Sequence, residues 1–205
     1  MRCFLPFLFF ITCLSLGPAG ASANEQAAGE EALSMPALFA DGMVLQAGEP
    51  ANLWGRAPAG SQVEISLDGA QAAMTQAAPS GVWQASLPAQ EPGGPHRLQV
   101  SSGARTLSFT DVLFGEVWLA SGQSNMAWPV SKAADAEAEI AAADYPKLRF
   151  FTLPHMQADA PRAALEGTWK EATSGNAGKF SAVAYYFARR IHRETGRPVG
   201  IIDST

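Results

Sequence analysis

Cysteine is nearly absent. The chain has two, Cys3 and Cys13, and both lie in its first 23 residues. If that segment is removed, none remains, which excludes a disulfide framework, a cysteine nucleophile and a thiolate metal site. Stability must then come from the core alone. Histidine is scarce too, with three in the chain, so few imidazoles are on hand as general bases. Charged residues make up 16%, the net charge is −5, and no basic run occurs. A mildly acidic, evenly mixed surface argues against a nucleic-acid partner. The chain also lacks an apolar stretch long enough to span a bilayer comfortably.

The apolar run it does have is Phe4 to Leu16. Arg2 is the only charge before Glu25, and Ala21-Ser22-Ala23 closes the segment. A positive start, a short apolar centre and an Ala-x-Ala exit predict a secretory signal peptide over 1–23. An uncleaved anchor is the alternative. Export to the periplasm or the medium is expected, with no stable membrane insertion after cleavage. Residues 24–34 are small and polar and read as a flexible leader.

Residues 35–110 predict short strands separated by turns. Ala51–Arg56, Gln62–Leu67, Ala72–Gln76, Val82–Leu87, Arg97–Val100 and Thr106–Phe109 are the candidates. Asp68-Gly69 signals a hairpin, and Pro79-Ser80-Gly81 and Ser101-Ser102-Gly103 are further breaks. With no helix between them, such strands suggest a small β-sandwich.

The character changes near Asp111. Val112–Ala120 predicts a long apolar strand, Ser131–Ala143 a helix and Lys147–Leu153 a strand. Ala182–Thr195 predicts a helix, capped by Ser181, stapled by Phe180 and Tyr185, and stopped at Gly196. Pro198–Asp203 is another strand. Strand, helix, strand, helix, strand is the opening of a parallel α/β sheet. No helix follows the last strand, so 111–205 reads as a partial domain with apolar faces to cover.

Chemistry points to one residue. The strand candidate ends in Gly122-Gln123-Ser124-Asn125-Met126, and open α/β sheets place their ligands at the carboxyl ends of strands. Ser124 is therefore the candidate nucleophile. A serine attacks an ester only with a base to take its proton and donors to hold the oxyanion. The Ser124 N–H and the Asn125 side chain are candidate donors, and Gly122 lets the backbone turn tightly. The Gly-x-Ser-x-Gly elbow is not matched, because Met126 holds its last position. An ordinary turn serine is the bland alternative.

The longer context resembles a known family. Gly115-Glu116-Val117-Trp118-Leu119-Ala120-Ser121-Gly122-Gln123-Ser124-Asn125-Met126 is similar to the first block of the sialate O-acetylesterase family, within the SGNH (GDSL-like) hydrolases. Pro36 to Gln46, Trp54-Gly55, Phe180 to Ala188 and Pro198 to Thr205 resemble its other segments, in order. The resemblance implies a small N-terminal β-sandwich followed by a three-layer α/β/α hydrolase domain. It implies a carbohydrate O-acetylesterase that uses neither metal nor cofactor, with Ser124 as nucleophile and its N–H in the oxyanion hole. Gln123 stands where many relatives carry Asp and is assigned a supporting role.

The family's glycine segment, asparagine donor and Asp-x-x-His pair have no counterpart in the chain. A fragment, inactive and poorly soluble alone, is the expectation. Among local histidines, His155 follows a strand, His96 lies in a Gly/Pro loop and His192 ends a helix. Asp203 reads as a turn or capping residue. Trp118 is expected in the core, while Trp128 and Trp169 are left open. O-acetylated sialic acid is the leading substrate. Acetylated xylan or another polysaccharide is the alternative, and a non-catalytic carbohydrate-binding protein is the reading from another class. The oligomeric state is not legible.

Overall fold

The computed structural model describes residues 32–154, 159 and 166–204. The expected signal peptide, residues 24–31 of the expected leader, and His155 lie outside these residues. Packing begins at Leu33, which is buried, and at Ser34, which exchanges two 2.9 Å backbone hydrogen bonds with Arg56. The end of the segment expected to be a leader is thus part of the fold, because Leu33 is an apolar residue with a core to enter.

In chain order the described strands are β1 (Val44–Gln46), β2 (Ala51–Arg56), β3 (Gln62–Leu67), β4 (Ala70–Gln76), β5 (Val82–Leu87), β6 (Gly93–Ser102), β7 (Arg105–Ser121), β8 (Asp144–Thr152), β9 (Trp169–Thr173) and β10 (Val199–Ser204). The helices are α1 (Ala136–Ala141) and α2 (Ala182–Thr195). The strands form an eight-stranded sheet, ordered β4-β3-β6-β7-β10-β8-β9 with β1 beside β7, and a two-stranded sheet of β2 and β5.

The first half follows from period-two patterning. Ala51 and Leu53 of β2, and Trp83, Ala85 and Leu87 of β5, point inward while their neighbours face water. They share one core with Val63 and Ile65 of β3, Leu98 and Val100 of β6, and Val112 and Phe114 of β7. Each fully buried Val, Leu, Ile or Phe among them contributes about 1.5–3 kcal/mol over leaving it exposed.

β7 joins the halves. Its first part runs antiparallel to β6, Leu113 to Gly115 lie parallel to β1, and Glu116 to Ser121 lie parallel to β10. The sequence suggests two separate strands here, Thr106–Phe109 and Val112–Ala120. Instead one strand runs through, and Asp111 sits inside it with a φ of 57°.

The second half contains the expected parallel α/β arrangement. β10 lies between β7 and β8 and parallel to both, and β9 adds antiparallel at the edge. Helix α2 covers one face, where Ala184, Tyr185 and Ala188 meet Leu148, Phe150, Val199 and Ile201. Phe150 and Phe180 stack at 4.1 Å. The helix expected over Ser131–Ala143 shrinks to a 3-10 turn, Val130–Lys132, and the six-residue α1. Its alanines and acids favour helix but form no apolar stripe, and α1 buries none of its residues.

Two side chains tie the halves together. Arg149, 4% exposed on β8, donates to Gly42 O at 2.9 Å, Asp111 O at 3.1 Å and Pro146 O at 3.0 Å. Trp169 donates its indole N–H to Leu38 O at 2.8 Å.

Candidate active site

The parallel strands β7, β10 and β8 end together. Ser121 pairs with Ser204, and Asp203 with both Ala120 and Thr152. Ser121 Oγ donates to Ser204 O at 3.2 Å, and Leu153 N–H donates to Asp203 O at 2.8 Å. The carboxyl edge of an α/β sheet is where ligands bind, and the Gln123–Ala127 turn rises from it.

That turn is a single helical loop. Gln123 O accepts from Met126 N–H at 2.9 Å and from Ala127 N–H at 3.0 Å, and Asn125 O accepts from Trp128 N–H at 3.4 Å. Such a turn leaves its leading N–H groups, those of Ser124 and Asn125, without a partner inside it. Gln123, Ser124 and Asn125 are all exposed. The Ser124 hydroxyl is thus presented to solvent at the strand end, beside backbone donors suited to an oxyanion. Gly122 does not adopt a positive φ. Its role is close approach, since a Cβ there would lie 3.0 Å from Met126 Cβ.

The turn is clamped to the start of α2. Ser181 accepts from Ala184 N–H at 3.3 Å, the N-cap expected from the sequence, and its own hydroxyl donates to Met126 O. Val130 N–H donates to Phe180 O at 2.9 Å, and Ala182 N–H to Trp128 O at 2.7 Å. The second bond of Ser181 was not legible from the sequence, where the only signal was the cap itself.

The remaining candidates disperse. His96 engages Asp68 at 2.7 Å and packs edge-on against Phe114. His192 Nδ1 lies 2.6 Å from Arg197 O in the last turn of α2. No imidazole or carboxylate among the described residues hydrogen-bonds Ser124. Asp203, expected at a turn or cap, is instead buried within β10. Trp118, expected in the core, is 44% exposed, with its ring edge-on to Phe187 at 5.1 Å. Trp118, Leu119, Met126, Val183 and Phe187 line a cleft of about 240 Å³ between β7 and α2. Trp128 is half-exposed, with Lys132 Nζ 5.5 Å from its ring centre. Trp169 is structural, packed against Phe151. Of the two tryptophans in the first half, Trp83 is buried and Trp54 partly exposed against Phe39.

Among the described residues no group of three or more His, Cys, Asp or Glu could hold a metal ion. No described helix is long and apolar enough to cross a membrane.

No protein-family model matches the chain. It is 34% identical over 183 residues to a sialate O-acetylesterase of Rattus norvegicus, and 33% identical over 183 residues to that of Homo sapiens. Each match takes in 80% of this chain, but 34% and 35% of those proteins. The chain therefore spans about a third of the length of the curated relatives it matches. The crystal structure of a carbohydrate acetylesterase from Xanthomonas citri superposes with a TM-score of 0.81 at 42% identity, over 85% of this chain and 40% of that one. Likeness in sequence and likeness in fold fall on most of the same chain, which over that stretch is similar to the sialate O-acetylesterases.

Proposed function

We propose that this chain carries the nucleophile of a carbohydrate O-acetylesterase, with Ser124 in that role and O-acetylated sialic acid as substrate. The observation that supports it best is the placement of Ser124, exposed on a helical turn at the shared carboxyl end of β7 and β10.

In this reading Ser124 Oγ attacks the acetyl carbonyl carbon and passes its proton to a base. The carbonyl oxygen becomes an oxyanion, held by the Ser124 N–H with help from Asn125. Collapse breaks the bond to the sugar oxygen, which leaves as the protonated alcohol. Water then attacks the acetyl-serine and releases acetate. Gly122 and Gln123 shape the turn. No metal or cofactor enters the scheme. The base is an imidazole that must be brought to Oγ, and neither His96 nor His192 is placed for it.

A second substrate reading, acetylated xylan or another polysaccharide, draws support from the 42% identity to a relative described as a carbohydrate acetylesterase. Export belongs to the same proposal, supported by Arg2, the apolar run Phe4–Leu16 and the Ala21-Ser22-Ala23 exit.

The test is acetate release from O-acetylated sialic acid and from acetylated xylo-oligosaccharides, measured on the full gene product and on Ser124→Ala. Loss of release in the variant is expected. Equal rates in both proteins would remove Ser124 from the mechanism, and the ratio of the two substrates' kcat/KM decides between the sugars.

A further inference from the structure

We propose that Ser181 is a positioning residue for Ser124, acting through the hydrogen bond from its hydroxyl to Met126 O. The inference rests on the reading of Ser124 as the nucleophile.

Ser181 is 3% exposed and stands at the N-cap of α2, outside helical backbone. Its hydroxyl acts both as acceptor and as donor, with Met126 Sδ a more distant third contact at 3.6 Å. A lone pair accepts Ala184 N–H, and its one proton goes to Met126 O. Met126 is also the residue whose N–H closes the turn on Gln123 O. A single buried hydroxyl thus links the start of a 14-residue helix to the middle of the loop that carries Ser124.

Besides this bond the turn is held by the backbone bonds of Trp128 and Val130 to 180–182 and by Met126 packing on the core of the second half. Gln123, Ser124, Asn125 and Ala127 are exposed, and Met126 is only partly buried. Its location is set by Ser121 on one side and, on the other, by the contacts of residues 126–130 with 180–182. The antiparallel bridge of Pro129 and Ser181 belongs to the same clamp. A reacting atom displaced by about 1 Å can cost on the order of 100-fold in rate, so a bond that fixes this loop acts on Ser124 without touching substrate.

Capping and clamping need different chemistry and can be separated. The cap needs an acceptor, whereas the clamp needs a donor. An ionised aspartate is a good N-cap but has no proton to donate. Glycine is nearly as good an N-cap as serine and has no side chain to donate from. Threonine supplies both functions.

The experiment measures kcat and KM of the full gene product on a small soluble acetyl ester, with urea unfolding alongside. Ser181→Gly should lose about 10- to 100-fold in kcat, with KM changed less than about twofold, under conditions where urea unfolding shows the variant folded. Ser181→Asp sets a carboxylate against Met126 O in a buried site and should lose stability as well as kcat. Ser181→Thr should recover most of the loss. Labelling of Ser124 by a fluorophosphonate should slow in parallel with kcat. Parent-like kcat in Ser181→Gly overturns the inference, as do losses that merely follow the fraction of folded protein. Ser124→Ala distinguishes the two levels. If it stays active, the nucleophile reading fails and the positioning role falls with it. If it is dead beside fully active Ser181 variants, only the positioning role is overturned.

Discussion

The Arg149 guanidinium lies 2.8 Å from the Asp111 carboxylate and also donates to the Asp111 carbonyl at 3.1 Å. One side chain on β8 therefore holds the point where β7 passes from the first half of the fold to the second. The two partners are unequal in burial, with Arg149 at 5% side-chain exposure and Asp111 at 45%. Removing the buried member strips Gly42 O, Asp111 O and Pro146 O of their donor. Arg149→Met should cost on the order of 3 kcal/mol by urea unfolding. Asp111→Asn, at the exposed end, should cost less than about 1 kcal/mol. Similar costs for the two would contradict the buried-donor account.

Helix α1 is fastened by the Glu139 carboxylate and by Ile140, which packs against the core of the second half. It buries none of its residues, yet Glu139 accepts from Tyr185 OH at 2.8 Å and pairs with Arg189, both on α2. Burial, and then the Glu139 contact, push the Tyr185 hydroxyl well above its ordinary range, so it stays protonated as a donor. Glu139→Ala should destabilise by about 1–3 kcal/mol and release α1 from α2. Faster amide exchange confined to Ala136–Ala141 and the neighbouring 3-10 turn is the expected signature. Uniform exchange changes would place the effect elsewhere.

Asp68 gives the first half an acid-sensitive contact. Its carboxylate accepts from Arg97 N–H at 2.8 Å and faces His96 at 2.7 Å, and these partners, the backbone donor first, lower its pKa below 3.8. A carboxylate depressed on folding stabilises the fold above its unfolded pKa. That contribution is lost as pH falls through the folded value, here below about pH 4. Asp68 is half-exposed, so the effect is small. Asp68→Asn should flatten the pH dependence of the unfolding midpoint below about pH 4. An unchanged acid limb would mean that the pairing contributes nothing.

Much of this was legible in the sequence, and the reasons differ by element. Ala51–Arg56, Gln62–Leu67, Val82–Leu87 and Ala182–Thr195 form as written, because period-two alternation, a capping serine and a terminal glycine are local signals. Val44–Gln46 and Trp169–Thr173 were missed. One is too short to show a period, and the other is a strand because β8 offers an edge for it to pair with. Near Asp111 the character of the sequence changes, and the strand runs on through it by pairing with β6 and β1, with Arg149, 38 residues away, holding the Asp111 carbonyl. The turn of Ser124 was readable as a turn. That Met126 O would be held by Ser181, 55 residues on, was not. His155 and the signal peptide lie outside the described residues, and the remaining candidate bases are committed elsewhere.

Two glycines of the family-like segment are needed for different reasons, and alanine at each should fail differently. At Gly115 a Cβ would lie 2.1 Å from Pro198 O and 2.6 Å from Pro198 C. These are backbone atoms at the point where β10 begins to pair with β7, and Glu116 N–H donates to that same carbonyl at 2.9 Å. Neither strand can yield without losing the register beyond it. Gly115→Ala should therefore destabilise by about 3 kcal/mol or more, at the upper end of overpacking costs. At Gly122 the contact is 3.0 Å to Met126 Cβ, in an exposed turn that can give by a few tenths of an ångström. Gly122→Ala should cost less than about 1 kcal/mol. It moves Met126 and the turn with it, so esterase kcat should fall on the order of tenfold. Urea unfolding and acetate release on both variants check the contrast. A Gly122 variant that loses stability and activity together would mean that the turn is part of the packed core, not a loop held by Ser121 and Ser181.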